Sequence, residues 1–292
     1  MQDLHWSSIA APIEGELGEP VLEATRLVAL HPSRATWAAR TARLGQIVIK
    51  VRHGDRAYEK TDWCAANLPR LVARGYPVPL IIWHGMLHDD WHAAVQYRLP
   101  GRSLRALIAP LLEAVLGLIE LQADACVPAD ERDFAGYVAN VLFDDWDCVW
   151  LDAERASPAA NHLCARLRGW LAPVWGQRLP ATDYANNDLN LSNILSDGER
   201  ITGVVDWDEF GLASRAIDLV AIAFDTERAG DHDATRIVLA RAASIAGGDG
   251  LRQLISYRAI AQLAALVRNA RSGAIDPAVS VATRILDSLP DA

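Results

Sequence analysis

The fold of this chain is decided by the stretch Asn186-Asn187-Asp188-Leu189-Asn190-Leu191-Ser192-Asn193, together with the stretch Val204-Val205-Asp206-Trp207-Asp208. The two stretches hold an Asp, an Asn five residues later, and a second Asp thirteen residues after that Asn. The first carboxylate can orient and deprotonate an alcohol. The Asn oxygen and the second carboxylate are the hard oxygen ligands that Mg²⁺ takes beside nucleotide phosphates. The pattern is therefore typical of a phosphoryl-transfer site.

The flanking sequence predicts how these side chains come together. Residues 182–185 read as a short strand that leads into a loop, and residues 194–196 and 201–205 read as a hairpin around the turn 197–199. Asn193 precedes the first strand of this hairpin and Asp206 follows the second, so we expect the two side chains to converge. The alternative is that Asn and Asp occur here only because they favour turns.

These residues resemble the catalytic loop of aminoglycoside phosphotransferases and related small-molecule kinases. That loop is written H-G-D-x-x-x-x-N and is followed by a strand that ends in V-D-W-D. The resemblance implies that Asp188 is the catalytic residue and that Asn193 and Asp206 bind metal. A downstream D-L-A helix of the family is matched around Asp218. The resemblance extends over residues 20–290.

Two positions of the loop depart from the family pattern. Asn186 stands where the family has His, and Asn187 stands where it has Gly. An Asn side chain can hydrogen-bond in place of His, so Asn186 is expected to support the loop. The resemblance gives Asp218 a second supporting role, through hydrogen bonds to the loop backbone. The alternative for Asp218 is an acid that stabilises a helix N-terminus.

The resemblance implies an α+β, two-lobed protein-kinase-like fold. An N-terminal nucleotide-binding lobe over residues 1–100 would hold an antiparallel sheet and a helix, with a hinge near residues 96–101. A mainly helical C-terminal lobe over residues 102–292 would hold the catalytic loop and the acceptor site. Apolar periodicity predicts a helix over residues 56–74 and another over 104–123 that is capped by Ser103. Further helices are predicted over 130–150, 157–175, 215–228, 233–246, 249–271 and 277–288.

The N-terminal half contains the candidate ATP-binding residues. Lys50 lies in a β-branched strand, where an ammonium group needs a partner unless it faces solvent at an edge. The resemblance pairs Lys50 with the ATP phosphates and with Glu59, for which Asp62 is the alternative. It also places adenine against the backbone of three hinge residues, namely Gln96, Tyr97 and Arg98. A loop without glycine would contact the phosphates through Ser33.

Two acidic stretches are candidates for the acceptor site. Asp144 and Asp147 lie among tryptophans, and Asp225 and Glu227 belong to a second acidic stretch. Carboxylates beside aromatic rings can receive an aminated molecule, although a solvated acidic helix face has the same composition. We therefore predict an ATP- and Mg²⁺-dependent O-phosphotransferase acting on an aminated natural product or antibiotic. The alternatives are a metabolic small-alcohol kinase and a kinase-like binding protein with little activity.

Composition excludes several other classes. The formal net charge of −9 argues against a nucleic-acid partner, and no apolar run is long enough to span a bilayer. No Gly-Lys dipeptide occurs, which excludes a P-loop kinase. The N-terminus lacks the basic segment of a signal peptide, and the four cysteines form no C-x-x-C pair, so we expect a cytoplasmic protein. The sequence predicts no oligomeric state.

Overall fold

The computed structural model describes residues 6–27, 34–88, 90–125 and 132–289. The chain divides into two compact units. Unit 1 consists of Met1–Arg102 and Leu195–Asp208, and unit 2 consists of Ser103–Ile194 and Glu209–Ala292.

Unit 1 contains an antiparallel five-stranded sheet with the order β1-β2-β3-β5-β4. In β3 the residues Ile47, Ile49 and Val51 are fully buried, whereas the intervening Lys50 is only partly buried. This alternation is the period of two that a strand imposes on its side chains. The strands are β1 (Val21–Arg26), β2 (Arg34–Thr41), β3 (Gln46–His53), β4 (Ile81–His88) and β5 (Trp91–Tyr97).

Two helices accompany this sheet. Helix α1 (Trp6–Leu17), which the sequence did not predict, buries Ile9, Ile13 and Leu17 in the same apolar cluster as the inward side chains of β3. These three residues are four positions apart and so share one helix face. Helix α2 (Asp55–Ala73) corresponds to the helix predicted over 56–74 and ends before Gly75, whose φ is 87°.

The hairpin that follows the loop 186–193 is formed by β8 (Ile194–Ser196) and β9 (Ile201–Val204). The sequence assigned this segment to the C-terminal lobe, whereas the structure groups residues 195–208 with unit 1. Two hydrogen bonds account for the grouping. The Val204 N–H donates to the Pro77 carbonyl at 2.7 Å, and the Thr202 hydroxyl donates to the Pro100 carbonyl at 2.6 Å.

Unit 2 is mainly helical, and its most buried helix is α7. Residues 216–224 of α7 are all buried, which is the pattern of a helix packed on every side. Short strands β7 (Asp183–Ala185) and β10 (Gly211–Ala213) form an antiparallel pair, and Ser103, the last residue of β6 (Arg102–Ser103), begins the unit. The helices are α3 (Ala109–Glu120), α4 (Phe134–Phe143), α5 (Val149–Arg155), α6 (Pro158–Leu171), α7 (Ala216–Arg228), α8 (His232–Arg268) and α9 (Ile275–Asp287).

Several predicted helix boundaries were wrong. Helix α3 begins at Ala109 rather than Leu104, because Pro110 fits the first turn, where its missing N–H breaks no helical bond. The helix predicted over 130–150 ends at Phe143, since Asp145 and Asp147 adopt left-handed backbone conformations. The break predicted between the helices 233–246 and 249–271 is confirmed, because Gly247, with φ 70° and ψ 173°, interrupts the helical geometry of α8.

The predicted α+β class is confirmed, with an antiparallel sheet and helix in the N-terminal part and a mostly helical remainder. Among the described residues, none of the helices combines the length and the apolarity that a membrane crossing requires.

Candidate active site

The loop between β7 and β8, residues 186–193, is held by a carboxylate from α7. Asp218 Oδ2 accepts hydrogen bonds from the Asn186 N–H at 2.9 Å and from Gln122 Nε2 at 2.8 Å. Its Oδ1 accepts from the Asn187 N–H at 2.8 Å. Asp218 is fully buried, so these bonds fix the backbone immediately before Asp188.

Burial has a measurable consequence for Asp218. It raises the pKa of Asp218 from 3.8 to about 6, although the hydrogen bonds from Gln122, Asn186 and Asn187 lower the pKa. The negative charge of Asp188 raises the pKa further. The carboxyl group of Asp218, which holds the loop, therefore ionises near pH 6.

The two asparagines that replace His and Gly fit this loop. Asn187 has φ 67°, a left-handed conformation that Gly and Asn adopt more readily than other residues. Its amide donates to the carbonyls of Ala185 at 3.2 Å and Glu209 at 2.8 Å. Asn186 Oδ1 accepts from the Asp188 N–H at 3.1 Å. Both departures from the family pattern thus maintain the loop conformation.

Asp188 and Asn193 lie together on this loop. The Asp188 side chain is 48% exposed, and its Oδ1 accepts a hydrogen bond from Arg258 Nη1 at 3.1 Å. Asn193 Nδ2 donates to the Asp188 carbonyl at 3.0 Å. Because its amide nitrogen is used in this way, the group that Asn193 offers to a metal ion is its amide oxygen.

Asp225 of α7 also supports the loop. Its Oδ2 accepts from the Leu191 N–H at 2.9 Å, and its Oδ1 is paired with Arg228. Asp225, which the sequence proposed as an acceptor ligand, therefore holds the loop backbone and carries its own counter-charge. It also lines a cavity beside the loop.

In unit 1, Lys50 is close to two carboxylates at the end of β9. Lys50 Nζ lies 2.7 Å from Asp206 Oδ1 and 3.4 Å from Asp208 Oδ1. Arg52 forms an ion pair with Asp208. Asp206 has φ 61°, a left-handed conformation of the kind that functional sites tend to retain. Burial raises the pKa of Asp208, but the charges of Lys50 and Arg52 outweigh it and hold that pKa below its ordinary value.

The expected ion pair between Lys50 and Glu59 is not formed among the described residues. Glu59 is exposed on α2, and the charge of Lys50 is instead compensated by Asp206 and Asp208. Asp62, the alternative partner, lies 3.6 Å from His84 Nε2. The carboxylates at the end of β9 thus take the place that the resemblance gave to α2.

The three hinge residues predicted to contact adenine lie in and directly after β5 of unit 1. Gln96 is buried within β5. The Tyr97 N–H donates to the Leu80 carbonyl at 3.3 Å, and the Arg98 N–H donates to the Gln46 carbonyl at 3.1 Å. Those two donors are already used within unit 1. Ser33, the proposed phosphate contact, lies outside the described residues.

The proposed acceptor carboxylates are not gathered at the Asp188 loop. Asp144 is exposed at the end of α4, and Asp147 pairs with Arg268 at 2.8 Å. Glu227 is buried, and Arg284 and His232 bind its carboxylate. Of the four predicted carboxylates, only Asp225 lines the cavity beside the loop.

Sequence reasoning missed three residues of these clusters. Asp208 was visible in the Val-Asp-Trp-Asp run, where it follows Asp206 by two positions, and Arg52 follows Lys50 by two positions on the same strand. The alternation of strand side chains was therefore a usable signal for Arg52. Arg258 gave no such signal, because 70 residues separate it from Asp188.

Comparison with known proteins identifies the family. The APH phosphotransferase enzyme family matches residues 28–254 of this chain. The chain belongs to that family. The predictions of an aminoglycoside-phosphotransferase-like family and of a phosphotransferase that acts on hydroxyl groups are confirmed.

Solved structures confirm the kinase-like fold of this APH family member. A thermostable mutant of aminoglycoside phosphotransferase APH(4)-Ia, in complex with AMP-PNP and hygromycin B, is 17% identical with a TM-score of 0.73 over 98% of this chain and 100% of that one. Spectinomycin phosphotransferase APH(9)-Ia, in complex with ADP and spectinomycin, is 13% identical with a TM-score of 0.69 over 98% and 99%. APH(3'')-Id from Streptomyces rimosus is 16% identical with a TM-score of 0.64 over 88% and 99%. No curated protein sequence matches the chain.

Proposed function

We propose that this APH family member is an ATP- and Mg²⁺-dependent O-phosphotransferase that phosphorylates a hydroxyl group of a small molecule. The proposal rests mainly on the exposure of the Asp188 carboxylate on a loop of fixed conformation. That carboxylate is half-exposed, on a loop whose backbone is fixed by the buried carboxylate of Asp218. A rigid loop with one accessible carboxylate is what alignment and deprotonation of an alcohol require.

ATP is assigned as the phosphoryl donor. Complexes of related solved structures contain AMP-PNP or ADP, which supports nucleotide binding. Lys50 is a partly buried cation next to Asp206 and Asp208, as expected for a side chain that holds phosphates beside metal-binding carboxylates. We assign adenine to the backbone of Gln96–Arg98. Since the Tyr97 and Arg98 N–H groups are already used, carbonyl oxygens there would accept from the adenine amino group.

Each of the two residues proposed to bind Mg²⁺ offers an oxygen of the kind that this ion takes. Asn193 offers an amide oxygen, because its nitrogen donates to the Asp188 carbonyl, and Asp206 offers a carboxylate that is 47% exposed. Mg²⁺ takes few protein oxygens and completes its shell with phosphates and water. When bound, the ion would neutralise the charge of the ATP phosphates.

Catalysis would rest on positioning by the residues of the chain. Asp188 would accept a hydrogen bond from the acceptor hydroxyl and take its proton as the hydroxyl oxygen attacks the γ-phosphorus. Arg258 would fix the Asp188 carboxylate through the bond to Oδ1. Lys50 would hold the donor phosphates in place, and such orientation supplies much of the rate in phosphoryl transfer.

The sequence predicted an aminated acceptor and a role in antibiotic resistance, and related structures bind hygromycin B or spectinomycin. The acidic residues behind that prediction are paired in this chain: Asp147 with Arg268, Asp225 with Arg228, and Glu227 with Arg284. Carboxylates that already have a counter-charge recognise a cation less well. This pairing favours a metabolic small-alcohol kinase as the second candidate.

Nucleotide titrations of variants test the proposal. Calorimetry with Mg-AMP-PNP is expected to show binding to the wild type and to Asp188→Asn, because Asp188 acts on the acceptor. Asp206→Asn and Lys50→Met should lose most of that affinity. Equal affinity in all four proteins, or no binding to the wild type, would contradict the assigned nucleotide site.

A further inference from the structure

A cavity of about 530 Å³ lies beside the Asp188 loop within unit 2. Its volume is in the range that holds a small ligand. Loop residues Asn190, Leu191 and Ser192 form part of the wall. Arg258, whose Nη1 binds Asp188, forms another part and connects the cavity to the proposed base.

The charge of this cavity is unusual for a site that would receive an amine. Three arginines line it, namely Arg105, Arg228 and Arg258, against a single carboxylate, Asp225. A cationic ligand would therefore meet three guanidinium groups. Like charges in contact cost binding energy, whereas guanidinium groups bind carboxylates and phosphates through charge-assisted hydrogen bonds.

Two of the arginines already have a carboxylate partner, and the third does not. Arg228 pairs with Asp225, and Arg258 pairs with Asp188 at 3.1 Å. Arg105 is exposed and forms no ion pair with a residue in the described ranges. The lining thus carries one uncompensated positive charge close to the loop.

The carboxylate of Asp225 does not offset that charge for a ligand. It accepts from the Leu191 N–H and is bound by Arg228, so its oxygens are used in holding the loop. Arg228 keeps donors in reserve, because a guanidinium has five N–H groups, only its Nη1 binds Asp225, and its side chain is 43% exposed. The charged side chains of this cavity therefore offer a ligand hydrogen-bond donors rather than acceptors.

We infer that this cavity binds an anionic group of the acceptor, a carboxylate or a phosphate, through Arg105 with help from Arg228. This inference rests on the proposed function, because it assigns the acceptor that Asp188 would deprotonate. It replaces the aminated acceptor with a hydroxyl compound that carries a negative charge within reach of the same loop.

Binding of simple anions tests the inference without any turnover. Inorganic phosphate and acetate are titrated separately into the full-length wild type, Arg105→Gln and Arg271→Gln. Arg271 is an exposed arginine outside the cavity lining, so its substitution changes the net charge equally. Arg105→Gln should weaken binding of the preferred anion about tenfold or more, the loss expected for a charge-assisted hydrogen bond. Arg271→Gln should bind as the wild type does.

The comparison of the two anions distinguishes the sources of the charge. Stronger loss for phosphate indicates a phosphorylated acceptor, and stronger loss for acetate indicates a hydroxy acid. Anion binding that Arg105→Gln leaves unchanged, or no binding of either anion, would overturn the inference.

A second arm compares two acceptors of matched length by the release of ADP from Mg-ATP that each one stimulates. 4-Hydroxybutyrate should stimulate ADP release more than 4-aminobutan-1-ol, and Arg105→Glu should reduce or reverse that preference. A preference for the amine that survives in Arg105→Glu would overturn the anionic acceptor while leaving the phosphotransferase intact. If the wild type does not bind Mg-nucleotide, that result contradicts the proposed function, whatever the anion titrations show.

Discussion

At the scale of single residues, Asn187 explains how the loop tolerates its departure from the family pattern. The position has φ 67°, so the residue must adopt a left-handed conformation. Asn does so at low cost and uses its amide to bind two backbone carbonyls. From the sequence we could predict that Asn186 supports the loop. The left-handed conformation of Asn187 was not predicted, although an Asn at a position where the family has Gly is a usable signal for it.

The conformation of Asn187 leads to a prediction about stability. Asn187→Gly and Asn187→Ala both lose the two side-chain hydrogen bonds, but only Ala adds the strain of a Cβ in the left-handed region. Asn187→Ala should therefore be less stable than Asn187→Gly by about 1–2 kcal/mol. Urea unfolding of the two variants measures the difference. Equal stabilities would show that this residue does not hold the left-handed conformation.

At the scale of elements, the hairpin β8–β9 is attached to unit 1 by a close approach at Gly101. Gly101 has φ 103°, and a Cβ there would contact the Thr202 hydroxyl and lie 2.8 Å from the Ser196 carbonyl oxygen. The sequence predicted the hairpin itself correctly, because its turn and β-branched residues are local signals. It could not predict the packing of the hairpin against residues 77 and 100, which are distant in the chain.

Gly101→Ala is expected to destabilise the protein more than Gly198→Ala. Gly198 lies in the turn of the same hairpin with φ 105°, but a Cβ there has no heavy atom within 4 Å. The two variants share the backbone strain and differ in the steric clash, so the extra cost for Gly101 should be about 1–3 kcal/mol. Chemical unfolding gives both values, and a smaller cost for Gly101→Ala would contradict the close approach.

Helix α7 supports the loop through Asp218, and this support depends on pH. The pKa of Asp218 is raised to about 6 in the folded protein from 3.8, mainly by burial. Its contribution to stability is therefore fully present below pH 4 and is lost as the pH rises through 6. The difference in unfolding free energy between wild type and Asp218→Asn should fall by roughly 3 kcal/mol across that interval.

Asp218→Asn is the matched variant for this measurement because it has the shape of Asp without the titration. Its amide has one acceptor oxygen for the donors that converge on Asp218, so we expect it to be less stable than the wild type at low pH. Unfolding curves are compared at each pH at which both proteins are folded. A pH-independent difference would show that Asp218 does not titrate in this range.

At the scale of the whole molecule, the predicted family, fold class and enzyme class were correct because the Asp188–Asn193–Asp206 spacing is a property of the sequence itself. The spacing of sequence motifs could not predict the ion-pair partner of Lys50 or the charge of the cavity beside the Asp188 loop. Both depend on side chains that are far apart in the sequence, such as Lys50 and Asp206 or Arg258 and Asp188. Composition led to the prediction of a cationic acceptor, whereas our inference of an anionic acceptor rests on the ion pairs of the folded chain.

Nucleotide binding should stabilise the folded protein as a whole. Mg-AMP-PNP at about 100 times its Kd is expected to add roughly 2.7 kcal/mol to the unfolding free energy of the wild type. Lys50→Met should lose most of this gain, since it removes the cation assigned to the phosphates. Thermal unfolding with and without the nucleotide measures the effect, and an undiminished gain in Lys50→Met would exclude that role.

The central claim is that Asp188 transfers the proton of an acceptor hydroxyl during phosphoryl transfer from ATP. The most direct test measures the transfer of labelled γ-phosphate from Mg-ATP to hydroxy acids, phosphorylated alcohols, amino alcohols and aminoglycosides by the wild type and by Asp188→Asn. We predict transfer to an acceptor by the wild type and a loss of about 10²-fold or more in kcat for the variant, with Mg-nucleotide affinity preserved. Near-wild-type turnover by Asp188→Asn would contradict the account.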